Sequence, residues 1–243
     1  LGGWEQLVDA PREALAHWNS IDIRESVSKN QTLPVWFSND ATAACVAELE
    51  FGSRANWNDF LYIFIGTFIG GGVVEKGILN VGSQGNAGAI GSMPIPAVYS
   101  GEATAEGQDS AQLIQCAGFD ADQVIEALGQ DDPSLVPEQA REIFEAWLQN
   151  TAEAISIALL AALSVLDFKG VVIDGLLPKR MVEKLVARVD DAISRRNMEG
   201  MLRPELKAGV LGNDARVIGA AILPFYNSFT PDMNVLLNLA GNA

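Results

Sequence analysis

Apolar positions in this chain follow two periods. Phe60 to Ile65 is an unbroken run of aromatic and β-branched residues, the pattern of a strand covered on both faces. Gly66-Thr67-Phe68-Ile69-Gly70-Gly71-Gly72 follows, then Val73-Val74 and a turn at Lys76-Gly77, which together read as a hairpin with a glycine-rich bend. Further on, Ile155, Leu159, Leu163 and Leu166 recur at helical spacing and predict one core-facing stripe on a long helix opened by Pro137 and reaching Leu166.

Around these anchors the other elements fall into place. Residues 4–18 predict an amphipathic helix built on Trp4, Leu7, Val8, Leu15 and Trp18. Leu33 to Phe37 predicts a buried strand ended by Ser38-Asn39-Asp40, and Ala41 to Phe51 a helix stopped by Gly52. A second glycine-rich stretch spans 82–91, and 101–107 reads as a loop. Helices are expected at 109–117, 120–128, 181–195 and 214–223, the last capped by Asn213 or Asp214. Strands are expected at 169–173, ended by Asp174-Gly175, and at 206–211. Strand–helix alternation towards the C-terminal end gives an α/β sheet.

Composition narrows the function classes. The 243 residues are 49% apolar and 19% charged, a globular balance with enough chain for a substantial core. Carboxylates outnumber Lys and Arg by 31 to 16, a net charge of −15, which argues against direct nucleic-acid binding by this segment. Cys45 and Cys116 are too few for a disulfide framework and fit a reducing, cytoplasmic setting. With one histidine, His17, the chain has almost no ligands for a zinc site, and no metal site is expected. No uninterrupted apolar run reaches the ~20 residues that span a bilayer, and no signal peptide is evident. The chain starts at Leu1 inside what reads as a loop, so a preceding segment is expected.

Two places carry candidate chemistry. Asn39-Asp40 lies at a strand-to-helix junction, where open α/β sheets bind ligands, and an Asp there can take a proton from a hydroxyl attacking a phosphate. The same dipeptide is also an ordinary helix cap. The stretch from Gly66 to Gly72 lets a backbone approach an anion closely, but lacks the Lys-Ser/Thr ending of a Walker loop. A tight hairpin needs the same glycines.

In order, Asn39-Asp-Ala-Thr-Ala-Ala, Gly66-Thr-Phe-Ile-Gly-Gly-Gly, Gly85-Asn-Ala-Gly-Ala-Ile-Gly-Ser-Met-Pro94 and Arg216-Val-Ile-Gly-Ala-Ala221 resemble the ROK family of repressors, open reading frames and kinases. The resemblance covers most of the chain. It implies an actin-like ATPase, ribonuclease-H-like α/β fold, with residues 1–52 the remainder of an N-terminal lobe and 53–243 the C-terminal lobe, the last helix returning to the first lobe. It implies Asp40 as catalytic base, Asn39, Asp40 and Asn86 as sugar contacts, and Gly66, Thr67, Gly70, Gly71 and Gly175 as phosphate or nucleotide contacts. Asp174-Gly175 falls where the family commonly has paired glycines near the adenosine.

Departures from the pattern redirect the function. Kinase members usually carry Glu and His where this chain has Ala89 and Ser92, and a further Glu at a position matched here to Ile114. The family's cysteine-rich zinc motif and its Asp-x-Gly-x-Thr phosphate loop are absent from the sequence, and Phe68 replaces a glycine of the bend. The variant Gly88-Ala-Ile-Gly-Ser-Met-Pro94 and the tail Phe229-Thr-Pro-Asp-Met-Asn-Val-Leu-Leu237 are similar to the regulator branch. The expectation is a sugar-sensing effector and oligomerisation domain of a transcriptional regulator with a degenerate kinase site, homo-oligomeric, contacting operator DNA only through an N-terminal helix-turn-helix outside this chain. Trp36, Trp57 and Trp147 are candidates for an interface or for the core. The alternative is an ATP-dependent hexose or amino-sugar kinase, in which case ATP and Mg are its cofactors.

Overall fold

The computed structural model describes residues 21–52, 56–95, 113–115, 117–130 and 133–230. The helix expected at 4–18, the loop at 101–107, Cys116 and His17 lie outside the described residues. The chain divides into two compact units, Leu1–Phe37 and Ser38–Ala243.

In the first unit, helix α1 (Ile23–Ser28) is capped by Asp22, whose carboxylate accepts from the Glu25 amide at 2.8 Å. The strand expected at Leu33–Phe37 is not formed. A buried strand needs a ladder partner and cover, and here Leu33 and Phe37 are 72% and 68% exposed. Trp36 is exposed as well.

The second unit is built on one five-stranded sheet, order β3-β2-β1-β4-β5. Its strands are β1 (Phe60–Ile65), β2 (Ile69–Glu75), β3 (Ile78–Asn80), β4 (Gly170–Gly175) and β5 (Glu205–Ala208). β1, β2 and β3 pair antiparallel as a meander, while β4 and β5 join β1 in parallel. Central β1 is buried at every position, which is why its sequence shows no polar alternation. Its residues still divide by face. Leu61, Ile63 and Ile65 belong to one core, and Phe60, Tyr62 and Phe64 to the other.

The first core is covered by α4 (Glu138–Leu163) and α5 (Lys179–Ser194), together with α3 (Ala121–Leu128). Phe144, Leu148, Ile155 and Leu159 of α4 face it, so Trp147 and the predicted stripe serve packing. Helix α4 is long and apolar enough to cross a membrane, but its apolar face is buried in this core. Polar groups join α4 to α5: Glu153 accepts from Arg195 and Arg196, each at 2.7 Å, and Glu145 from Arg188.

The second core lies under α2 (Asp40–Phe51) and α6 (Ala215–Phe229). Trp57 is buried here against Gly170, where any β-carbon would sit 2.1 Å from the indole. Both Trp57 and Trp147 are thus core residues, which removes them from an interface role. Helix α6 continues past its expected end at Leu223 and runs on to Phe229 with Pro224 in its interior. Tyr226 then ties α6 to β3, its hydroxyl accepting from the Leu79 amide at 2.8 Å.

Candidate functional site

The sequence motifs converge on the start of β2 and the carboxyl ends of β1 and β4. Glycine spacing explains the convergence. A β-carbon at Gly70 would lie 2.5 Å from that of Ala41, and one at Gly72 2.6 Å from that of Cys45, so α2 rests directly on β2. One at Gly71 would lie 2.8 Å from the Gly88 carbonyl, which seats the 82–91 loop on the strand. Gly70, Gly71 and Gly72 are strand residues, not the bend itself. The bend is Gly66-Thr67-Phe68, closed by the Gly66 amide donating to the Phe68 carbonyl at 3.1 Å.

Asn39 and Asp40 have separate jobs. The Asn39 Oδ1 caps α2, accepting from the amides of Ala41 at 2.9 Å and Thr42 at 3.4 Å. Both lone pairs of that oxygen are used, so the donors of Asn39 remain for a ligand. Asp40 is the first residue of the helix. Its Oδ1 accepts from Ala41 N at 2.9 Å, and its Oδ2 from Arg216 Nη1 at 3.3 Å. Arg216 also stacks over the Phe64 ring, its Cζ 5.2 Å from the centroid. Asp40 and Arg216 are 176 positions apart, and no local signal links them. The crossing of α2 and α6 at Gly219 joins them.

The remaining sites fall at known places. Asn86, Ala89 and Ser92 are exposed on the loop over β2, and the turn Ile90–Ser92 carries no ionisable side chain. Ile114 is fully buried in the first core and presents nothing to a ligand. Gly175 stands beside β1, where its β-carbon would lie 2.2 Å from the Ile65 carbonyl; the Leu176 amide donates to that oxygen at 2.8 Å.

Next to it is a group that sequence reasoning did not assign. Asp174, at the end of β4, is 1% exposed. It accepts from Gly175 N at 2.9 Å, from Gly212 N at 3.1 Å and from the Tyr62 hydroxyl at 3.4 Å. Burial raises the carboxyl above its ordinary range, and the amides of Gly175, Gly212 and Leu211 and the Tyr62 hydroxyl offset part of that rise. Burial, then the facing carboxylates, push the Tyr62 hydroxyl far up. A raised carboxyl binds protons more readily folded than unfolded, so stability falls as pH climbs from the ordinary value of ~3.9 through the folded one. Asp174→Asn removes that slope. The melting temperature of the variant minus that of the parent should therefore grow from about pH 4 to about pH 7, and a constant difference over that window would refute the assignment.

Strand order and the helices packed on the two faces of the sheet define an actin-like ATPase, ribonuclease-H-like fold of the sugar-kinase type. The chain belongs to the ROK family, whose model matches residues 3–225. It is 27% identical to the uncharacterized protein y4fQ of Sinorhizobium fredii over 81% of this chain and 48% of the relative. It is 27% identical to the N-acetylmannosamine kinase of Haemophilus influenzae over 82% of this chain and 66% of the relative. The xylose repressor of Bacillus subtilis is 34% identical over 33% of this chain and 21% of the repressor. Among solved structures, the ROK hexokinase of Thermus thermophilus superposes with a TM-score of 0.62 at 25% identity, covering 82% of this chain and 68% of that one. The chain spans about half the length of the first of these relatives.

ROK sugar kinases use ATP and Mg, and in this chain three amides near the strand ends are already engaged by the protein itself. The Gly66 amide is satisfied inside its own bend, and those of Gly175 and Gly212 are taken by Asp174. The described residues also hold no group of three or more His, Cys, Asp or Glu able to bind a metal ion.

Proposed function

We propose that the chain is the sugar-sensing effector and oligomerisation domain of a ROK-family transcriptional regulator with a degenerate kinase site. One observation carries the reading. The sugar-facing junction keeps Asn39 and Asp40, whereas the turn at Ile90–Ser92, with Ala89 before it, offers no ionisable contact. A pocket that keeps the Asn39 amide donors and the Asp40 carboxylate, but no ionisable group on that turn, can bind hydroxyls without driving phosphoryl transfer. Similarity to the xylose repressor supports it. On this reading the protein is cytoplasmic and homodimeric, because two-fold operators demand paired domains. DNA is then contacted by a helix-turn-helix outside these residues.

A kinase reading is favoured by one fact: Asp40, the residue matching the family's base, is retained in a chain 27% identical to a kinase. Both readings are tested on the full-length protein with D-xylose, D-glucose and N-acetylmannosamine. The expected result is that one of these sugars raises the melting temperature while MgATP gives no ADP above the blank. ADP release abolished by Asp40→Ala would establish the kinase instead. No shift with any of the three would reject these sugars as effectors.

A further inference from the structure

The corner between β4 and α6 is constructed as an anion site. The Gly212 amide points at both oxygens of Asp174, 3.1 Å from each, and the Gly175 amide points at one, 2.9 Å away. Three glycines surround the carboxylate. At Gly209 a β-carbon would fall 2.4 Å from the Asp174 Cγ, Gly175 is closed off by Ile65, and Gly212 has a φ of 52°. Among the described residues no lysine or arginine pairs with Asp174. The backbone amides and the Tyr62 hydroxyl are its hydrogen-bond partners, and they offset part of the cost of burying it. Convergent amides on glycine-rich backbone are how proteins hold free oxyanions.

We propose that this corner is an oxyanion cradle whose resident anion is the chain's own Asp174 carboxylate. Two consequences follow. The cradle fastens the turn at 209–212 to the sheet without any bound ligand, and α6 leaves from that turn carrying Arg216 to Asp40. It also denies the same amides to an external carboxylate or phosphate. The inference is independent of the sugar-sensing reading, since the cradle exists whether or not a sugar binds at Asp40.

The test is chemical rescue on the full chain. Asp174→Ala keeps the β-carbon and empties the cradle, so the variant should melt below the parent. Sodium formate at about 100 mM should then raise its melting temperature about 3–5 °C more than sodium chloride of equal ionic strength, by mass action. The parent should respond equally to both salts. Asp174→Asn, which fills the same space, should also respond equally to both. If Asp174→Ala is unfolded in chloride, formate should restore a cooperative transition. Equal effects of formate and chloride on Asp174→Ala, or a formate-specific rise in the parent or in Asp174→Asn, would overturn the proposal.

Discussion

Gly219→Ala should lower the melting temperature by about 2–8 °C, although alanine is the better helix former by ~1 kcal/mol. The reason is the approach of α6 to α2. A β-carbon on Gly219 would lie 1.8 Å from the Ala43 carbonyl oxygen and 2.3 Å from its carbon. Both are backbone atoms of a buried helix and cannot swing aside. Relief requires the helix axes to separate. The contacts of Ala215 and Leu223, which flank Gly219 on the same buried face, are then lost with it. Overpacking of this kind costs ~1–3 kcal/mol or more, which outweighs the propensity gain. Thermal denaturation of the single variant decides the sign. A melting temperature equal to or above the parent's would mean that the two helices do not cross this closely.

That crossing also explains how far the fold could be read from the sequence. Phe60–Ile65 was legible to the residue because a strand buried on both faces needs no partner information beyond its own composition. Helix α4 was legible from its stripe, and only its last turn was overestimated. Leu33–Phe37 has the same local signal as β1 but no cover among the residues described, so composition misled. Gly70, Gly71 and Gly72 read as a bend because glycine usually marks one. Here they are places where a helix and a loop lie flat on a strand, and only the packing partners, Ala41, Cys45 and Gly88, reveal it.

The site was less legible than the fold, for a physical reason. Asn39 and Asp40 announced themselves as the start of a helix after an expected strand; the helix is there, and the strand is not formed. Arg216 and Asp174 act through partners far away in sequence: Asp40 for one, Gly212 and Tyr62 for the other. Asp174 was noted only as standing in place of a glycine. Nothing in the string Gly170-Val-Val-Ile-Asp-Gly175 says that its carboxylate turns inward to meet two amides. Long-range electrostatic complementarity leaves no periodic trace.

Asp40→Ala should weaken sugar binding by about ten- to a hundredfold while leaving stability nearly unchanged. The structure separates the two effects because the cap belongs to Asn39, which holds the amides of Ala41 and Thr42. Asp40 shares the Ala41 amide and pairs with Arg216 at 3.3 Å, its own side chain 65% exposed. An exposed pair of this kind contributes ~0.2–1 kcal/mol, so its loss should shift the melting temperature by no more than about 3 °C. A carboxylate accepting from a sugar hydroxyl makes a charge-assisted bond of ~1.5–3 kcal/mol, and that is what binding loses. Asn39→Ala is the complementary variant. It should cost ~1 kcal/mol of stability through the helix cap, together with whatever its amide donors give the sugar. Titration calorimetry and thermal denaturation on both variants, with the sugar that stabilises the parent, read the two quantities separately. If Asp40→Ala binds that sugar as tightly as the parent does, the ion pair with Arg216 is the whole role of Asp40, and the sugar contact must be sought elsewhere.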